Sequence, residues 1–328
     1  MKYRSLGSTN EKLSAIGLGC MVFNHGYGVP DIPGSIATMG RALELGINFW
    51  DTADIYANGE NEKLVSEVLV PNRQKIFLAT KFGFLLYKGN TLSGLNGKPE
   101  YVKTAVEDSL KRLKTDVIDL YYLHRVDPAI PVEETVGAMA DLVNQGKVRY
   151  LGLSEVSANT LRRAYAIHPI SALQSEYSIL SRDVEGTVLD TCKELNITFV
   201  PFSPLARGLI TNKLDLSTLD ENDFRKQLPR YQEDHQDNNQ KLAAGFEKLA
   251  NSLGCSAAQL ALAWLLAKGD NIIPIPGTKR VKYLEDNAGA VDVQLKSSDI
   301  DAIEDLLKQF PNIGSRYSEK YQQMVDKN

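Results

Sequence analysis

Four residues of this chain combine proton-handling chemistry with a position at, or just beyond, the end of an apolar run. Asp51 closes INFWD, Tyr56 lies five residues on in a polar loop, Lys81 ends IFLATK, and His124 ends VIDLYYLH. Taken singly, each has an ordinary reading: a loop-opening Asx turn, a half-buried loop aromatic, a structural ion pair, a satisfied core histidine. Taken together they suit one task. A phenol has a reference pKa near 10, too high for easy exchange at neutral pH. A lysine ammonium beside it stabilises phenolate, and a carboxylate keeps that ammonium charged and in place. A histidine across the pocket can hydrogen-bond the same oxygen. Such a set can give a proton to a carbonyl oxygen as negative charge develops there.

The elements that must position these groups follow from hydrophobic patterning. Strands are predicted at 16–21, from Ile47 to Asp51, and at 75–82, 117–124, 148–154, 170–177, 197–205 and 271–276. Helices intervene, the clearest at 99–115, where Val102, Val106, Leu110 and Leu113 share one face. Eight strands alternating with helices predict an α/β fold, a single (β/α)8 TIM barrel spanning residues 1–328. An N-terminal β-hairpin precedes it, around Gly7-Ser8-Thr9-Asn10, and additional C-terminal helices follow. The polar segment 206–238 and a helix from Gln240 sit between the seventh and eighth strands. In such a barrel the active site lies at the C-terminal ends of the strands, where all four candidates fall. Gly17 and Gly19 lack the third glycine of a dinucleotide fingerprint, so no Rossmann signature is present.

Composition narrows the class. The chain has 328 residues, 43% of them hydrophobic, and a formal net charge of −4. No run approaches the roughly 18 to 20 apolar residues needed to cross a bilayer, and no long basic stretch points to nucleic acid. Three distant cysteines (Cys20, Cys192, Cys255) and four scattered histidines give no disulfide framework and no metal site. A cytoplasmic protein, a monomer with no membrane or nucleic-acid partner, is the expectation.

Motifs along nearly the whole chain then carry a resemblance to the aldo-keto reductases. They are FWDTADIY, ATK with Lys81, YLHR, GLSE (152–155), QSEYS (174–178), FSPLARGL (202–209) and IPGTKR ending at Arg280. The string HRVDPAIPVEETVGAM is similar to a short-tailed branch that includes pyridoxal and other aldehyde reductases. The resemblance puts Asp51, Tyr56, Lys81 and His124 on the family's catalytic tetrad. It implies NADP(H) lying extended across the barrel mouth and a small-molecule carbonyl substrate. Ser154 and Gln174 would hold the carboxamide with Glu155 beside them, and Tyr177 would stack on the nicotinamide. Pro204, Leu205, Arg207 and Gly208 would cover the pyrophosphate. Gly277, Thr278, Lys279 and Arg280 would meet the adenosine phosphate, and Asp286 and Asn287 the adenine. The chain departs from relatives at Glu155, where many have asparagine, and at Tyr283, where another branch has an arginine. Lys279 and Arg280 therefore carry more of the adenosine-phosphate contact.

Residues 277–280 point to a phosphate independently of the resemblance. They follow the eighth strand, at a helix N-terminus, with hydroxyl and backbone donors plus two cations. Met21, Phe23, Tyr27, Phe82, Phe84 and Tyr87 are expected as a substrate wall, with 83–97 as a mobile glycine-rich loop. Arg230, Tyr231, Arg316 and Tyr317 are expected at the mouth. Two other readings stay open: a non-enzymatic NADPH-binding subunit similar to potassium-channel β subunits, and a phosphate-binding barrel lyase or isomerase.

Overall fold

The structure, a computed structural model, describes residues 1–86, 92–221 and 223–326. The chain opens with an antiparallel hairpin, β1 (Tyr3–Ser5) and β2 (Lys12–Ser14), with Arg4 opposite Leu13. Leu6 and Leu13 of this hairpin pack with Phe49, Phe77 and Ile273 and plug the lower end of a barrel.

The barrel wall alternates strand and helix. β3 (Leu18–Gly19) leads to α1 (Ile32–Glu44), β4 (Phe49–Asp51) to α2 (Glu60–Leu69) and β5 (Phe77–Phe82) to a small hairpin. That hairpin, β6 (Phe84–Leu86) and β7 (Leu92–Leu95), precedes α3 (Pro99–Leu113). Then come β8 (Ile118–Leu123), α4 (Val132–Asn144), β9 (Val148–Ser154), α5 (Ala158–Ile167), β10 (Ile170–Glu176), α6 (Thr187–Glu194) and β11 (Thr198–Phe202). Helices α7 (Glu233–Ser252), α8 (Ala257–Ala267), α9 (Val281–Gly289), α10 (Ser297–Gln309) and α11 (Glu319–Gln322) complete the chain. Among these described residues seven parallel strands form one sheet, in the order β11-β10-β9-β8-β5-β4-β3.

Eight strands are expected from the sequence, and seven of them form as regular strands. Residues 271–276 do close the ring, but not as a regular strand. Ile273 and Ile275 donate to the carbonyls of Phe199 and Pro201 at 2.9 and 3.0 Å. On the other side Gly17 and Gly19 donate to Pro274 and Pro276 at 2.9 and 3.2 Å. Prolines 274 and 276 have no N–H to return, so half of that ladder cannot form. The closure is tight: a Cβ on Gly19 would lie 2.8 Å from the Ile275 carbonyl oxygen. The two glycines of IGLGCM thus serve backbone approach at the seam.

Local chemistry sets the helices. Asp31 caps α1, accepting from the Gly34 N–H at 2.9 Å. Helix α3 starts on Pro99 and buries Val102, Val106, Leu110 and Leu113, each burial giving about 1.5–3 kcal/mol. Ser256 and Gln259 form a capping box on α8, whose residues are almost all buried.

Three further boundaries differ from expectation. The seventh strand stops at Phe202 rather than Leu205, because Ser203, Ala206 and Arg207 take left-handed φ values of 49°, 48° and 57°. Helix α7 begins at Glu233, seven residues before Gln240. The expected mobile loop 83–97 is a paired hairpin over its described residues, Phe84 opposite Leu95. No single described helix is long and apolar enough to cross a membrane.

Candidate active site

Strand alternation builds the rim. Phe49, Ala79, Tyr122, Ala172 and Val200 pack together inside the barrel. Side chains on a strand repeat every two residues on one face. Two positions further along lie Asp51, Lys81, His124, Gln174 and Phe202, and all of them line one cavity or pair with a residue that does. Parallel register steps them around the rim: Gly19 is opposite Asp51, Asp51 opposite Ala79, two residues before Lys81, and Lys81 opposite Tyr122, two before His124. Tyr56 reaches the same point from a turn in which Ala57, Asn58 and Gly59 hold φ values of 48°, 53° and 83°. Non-glycine residues in that region are strained, and such strain gathers at functional sites.

The four candidates meet. The Lys81 ammonium donates to Asp51 Oδ1 at 2.5 Å, to the Thr52 carbonyl at 2.8 Å and to the Tyr56 hydroxyl at 3.4 Å. Gln174 Nε2 donates to the other Asp51 oxygen at 2.8 Å. Lys81 is 0% and Asp51 3% exposed, so this is a buried pair with its remaining lone pair satisfied. The His124 ring stands edge-on to Tyr56, 6.0 Å between centroids, and its Nδ1 has no hydrogen-bond partner among the described residues. On the other side His25 stacks on Tyr56 at 5.7 Å.

Electrostatics assigns protonation states. Burial pushes the His124 imidazole well below its ordinary value, and Lys81, Arg125 and His25 push it further, so it is neutral. Burial alone would lower the Lys81 ammonium, but Asp51 and Tyr56 lift it overall, so it stays charged. The Tyr56 phenol lies above its ordinary value, because desolvation outweighs the lowering by Lys81. A lysine neighbour alone predicts a net lowering. Lys81 acts in that direction here, against a larger burial effect.

The cavity measures about 1130 Å³ and runs from this rim to the turn before α9. Ser154 and Gln174 line it beside the tetrad, and Pro204, Leu205, Arg207 and Gly208 along the middle. Arg207 pairs with Glu176 at 2.9 Å and approaches the Tyr27 hydroxyl at 3.3 Å. Gly277, Thr278, Lys279, Arg280, Asp286 and Asn287 line the far end. Lys279 Nζ donates to the carbonyls of Tyr27 and Val29 at 3.0 and 2.5 Å, tying the loop after β3 to this turn. Asp286 accepts from the Ser256 hydroxyl at 2.9 Å. No group of His, Cys, Asp and Glu among the described residues could hold a metal.

Several expected site residues are elsewhere. Tyr177 is 0% exposed, packs on Phe199 and Trp264 and donates to Glu185 at 2.7 Å. It lies one residue off the inward parity of Gln174 and Glu176, so it faces the helices. The ring on the cavity wall is Phe202, a residue the sequence reading missed although its spacing from inward Val200 marks it. Glu155 has a left-handed φ of 55°, which turns its carboxylate away to Arg316, at 2.7 and 3.0 Å. Phe23 and Phe82 are core residues on the outer face of the sheet.

Met21, Tyr27 and Phe84 do line the cavity; Tyr87 lies outside the described residues. Arg230 bonds Ser181 and Leu180 behind the wall, and Tyr231 bonds the Ala206 carbonyl. Tyr317 reaches the cavity, with Tyr321 and Met324 of the same tail. Lys213, Leu214, Phe224 and Arg225 of the polar segment also line it, four residues that no sequence motif singles out. The Phe224 N–H donates to the Gly26 carbonyl at 3.1 Å, an approach between residues 198 positions apart that local sequence does not signal.

Comparison with known proteins identifies the family and the fold. The model of the aldo/keto reductase family matches residues 15–308. A Schizosaccharomyces pombe protein named aldo-keto reductase yakc, NADP(+), is 44% identical over 317 residues, covering 94% of this chain and 92% of its own. A probable aldo-keto reductase 1 of Glycine max is 42% identical over 315 residues, covering 95% and 90%. Among solved structures, a glycerol dehydrogenase of Gluconobacter oxydans superposes with a TM-score of 0.86 at 27% identity, covering 94% of this chain and 96% of that one. A holo aldo-keto reductase of Bacillus halodurans gives 0.78 at 30% identity, covering 98% and 99%.

Proposed function

Because this chain belongs to the aldo/keto reductase family, we propose that it is an NADPH-dependent oxidoreductase reducing aldehydes and ketones to alcohols. Tyr56 is the proton donor, supported by Lys81, Asp51 and His124. The observation carrying this reading is the hydrogen-bonded line from Gln174 through Asp51 and Lys81 to the Tyr56 hydroxyl, beside a neutral His124, at the end of a long cavity.

The residues present suit a nicotinamide dinucleotide. Ser154 and Gln174 offer polar groups beside the tetrad, and Phe202 offers an apolar ring face in place of Tyr177. Left-handed turns at Ala206, Arg207 and Gly208 are of the kind that directs backbone N–H groups at anions. Thr278, Lys279 and Arg280 stand at the N-terminus of α9. When bound, the cofactor supplies the hydride to the carbonyl carbon.

The chain's own residues handle the proton. Tyr56 passes its hydroxyl proton to the carbonyl oxygen as negative charge builds there. Lys81, held charged by Asp51, supports the resulting phenolate from 3.4 Å. Neutral His124 donates an N–H to the same oxygen and fixes its approach. A monomer in the cytoplasm completes the reading, open to light scattering and cell fractionation.

The test follows nicotinamide absorbance with purified protein, NADPH and an aromatic aldehyde. Steady loss of the reduced band, dependent on aldehyde, is expected. NADPH binding without turnover across a panel of carbonyl compounds would favour the regulatory-subunit reading instead.

A further inference from the structure

The tetrad leaves one buried cation of the cavity wall unused. Arg125 follows His124 just past β8, is 8% exposed and lines the cavity. Its Nη1 donates to the His124 carbonyl at 2.6 Å and to the Ser154 hydroxyl at 3.1 Å. Its hydrogen bonds to described residues all come from Nη1, and no carboxylate there lies within ion-pair distance, although its charge acts on Glu155 at longer range. Buried arginines are almost always paired, because an uncompensated buried charge is costly.

The nearby anion is already taken. Glu155 accepts from the Glu176 N–H at 2.7 Å and from both ends of the Arg316 guanidinium at 3.0 and 2.7 Å. The other arginines along the cavity contrast with Arg125. Arg207 pairs with Glu176 and Arg225 with Asp223. Arg125 sits at the tetrad end, where its charge acts on Glu155 beyond ion-pair distance and on Tyr56, His124 and Tyr317, remote from the turn at 277–280. Its guanidinium lies 5.7 Å over the Phe84 ring, which itself stands 4.7 Å from the His124 ring. A face thus stacked leaves the planar edge of the fork for a carboxylate or phosphate.

We infer that Arg125 receives an oxyanion group carried by the carbonyl substrate, and so selects anionic aldehydes over neutral ones of the same shape. This rests on the carbonyl-reductase reading above. The oxyanion sits a few bonds from the carbonyl, since Arg125 adjoins His124. Met21, Phe84, Leu86 and Leu92 enclose the apolar part of the molecule.

Two substrate pairs test this: 4-carboxybenzaldehyde against methyl 4-formylbenzoate, and glyceraldehyde 3-phosphate against glyceraldehyde. The ratio of kcat/KM within each pair is measured for the wild type, Arg125→Met and Arg125→Lys, after NADPH fluorescence shows that each variant binds cofactor. In the wild type the anion is favoured about 10- to 100-fold in at least one pair, the scale of one charge-assisted hydrogen bond. The pair showing it tells carboxylate from phosphate. The ratio falls close to one in Arg125→Met, mainly through KM, and recovers in part in Arg125→Lys. Added salt shrinks it.

A wild type indifferent to charge overturns the inference. So does an Arg125→Met variant that loses rate equally on both members of a pair, which would place Arg125 with Ser154 in cofactor positioning. If the wild type reduces none of the four compounds, the carbonyl-reductase reading fails first and the inference falls with it.

Discussion

Where the cavity meets β4 and β5, the ionisable pair Asp51–Lys81 stands on the strand ends and carries its partners within the fold. Lys81 and Asp51 are closed off from solvent and bonded to each other, to Gln174 and to a backbone carbonyl. At the other end Thr278, Lys279 and Arg280 occupy a turn, with Lys279 half-buried and Arg280 exposed. Lys279 is held there only by two loop carbonyls, while Arg280 lies 5.8 Å from the Tyr283 ring. The difference separates two kinds of work. In the proposed mechanism the Lys81–Asp51 pair that supports proton transfer is desolvated and pre-paired, so its charge state is fixed before substrate arrives. Groups suited to a phosphate remain free to exchange neutral or solvent partners for it.

Mutations should expose that contrast, and the largest effect belongs to the strand end. Tyr56→Phe removes the proposed proton donor and keeps the ring, so kcat should fall about 10²- to 10⁴-fold. NADPH affinity, measured by fluorescence titration, should stay within a few-fold of wild type. Near wild-type turnover on a good aldehyde would take Tyr56 out of the acid role.

Lys81→Met comes next. The phenol already lies above its ordinary value because burial outweighs the ammonium. Losing the ammonium raises it further. Reduction needs the protonated phenol, so activity is lost as pH rises through its pKa. That alkaline limb should move to higher pH in the variant, on a much lower plateau. A pH–rate profile of unchanged shape would break the link between Lys81 and Tyr56.

The far end predicts a smaller, salt-sensitive effect. Replacing both Lys279 and Arg280 with alanine should cost about 10- to 100-fold in NADPH over NADH preference at low salt. The lower part of that range reflects the carbonyls Lys279 already bonds. Raising ionic strength should shrink the preference in the wild type and leave the tetrad effects largely in place. Equal Kd values for the two cofactors in the wild type would return this turn to a solvated basic loop.

The smallest effect concerns the scaffold of that same end. Ser256 caps α8 and also donates to Asp286 on the cavity wall. Ser256→Ala should destabilise the fold by about 0.5–2 kcal/mol, seen as a lower denaturant midpoint. A larger loss would mean that the turn-borne end is as tightly built as the strand-borne one.

The residues most legible in the sequence were those whose position follows from a local rule. Apolar runs ending on Asp51, Lys81 and His124 could be read as strands with a rim, because strand geometry converts sequence position directly into place in space. The amphipathic pattern of α3 was legible for the same reason. Tyr177 was misplaced, and β10 is buried on both faces. The placement of Tyr177 on the nicotinamide came from the resemblance, and a continuous buried run gives no alternation that could have told inward from outward.

By itself, then, the sequence determined the strand–helix alternation, the strand ends that carry Asp51, Lys81 and His124, and the types of group gathered at the rim. Those depend on contacts within a few residues or on strand and helix periods. Only the tertiary structure decided which charges are compensated. Glu155 was turned to Arg316, 161 positions away, leaving Arg125 without a carboxylate beside it. It also decided that Pro274 and Pro276 would close the ring with half a ladder, and that Lys279 would reach back to the loop at Tyr27. Pairings of this kind depend on which distant backbones the closed barrel brings together, and no local period in the chain encodes that.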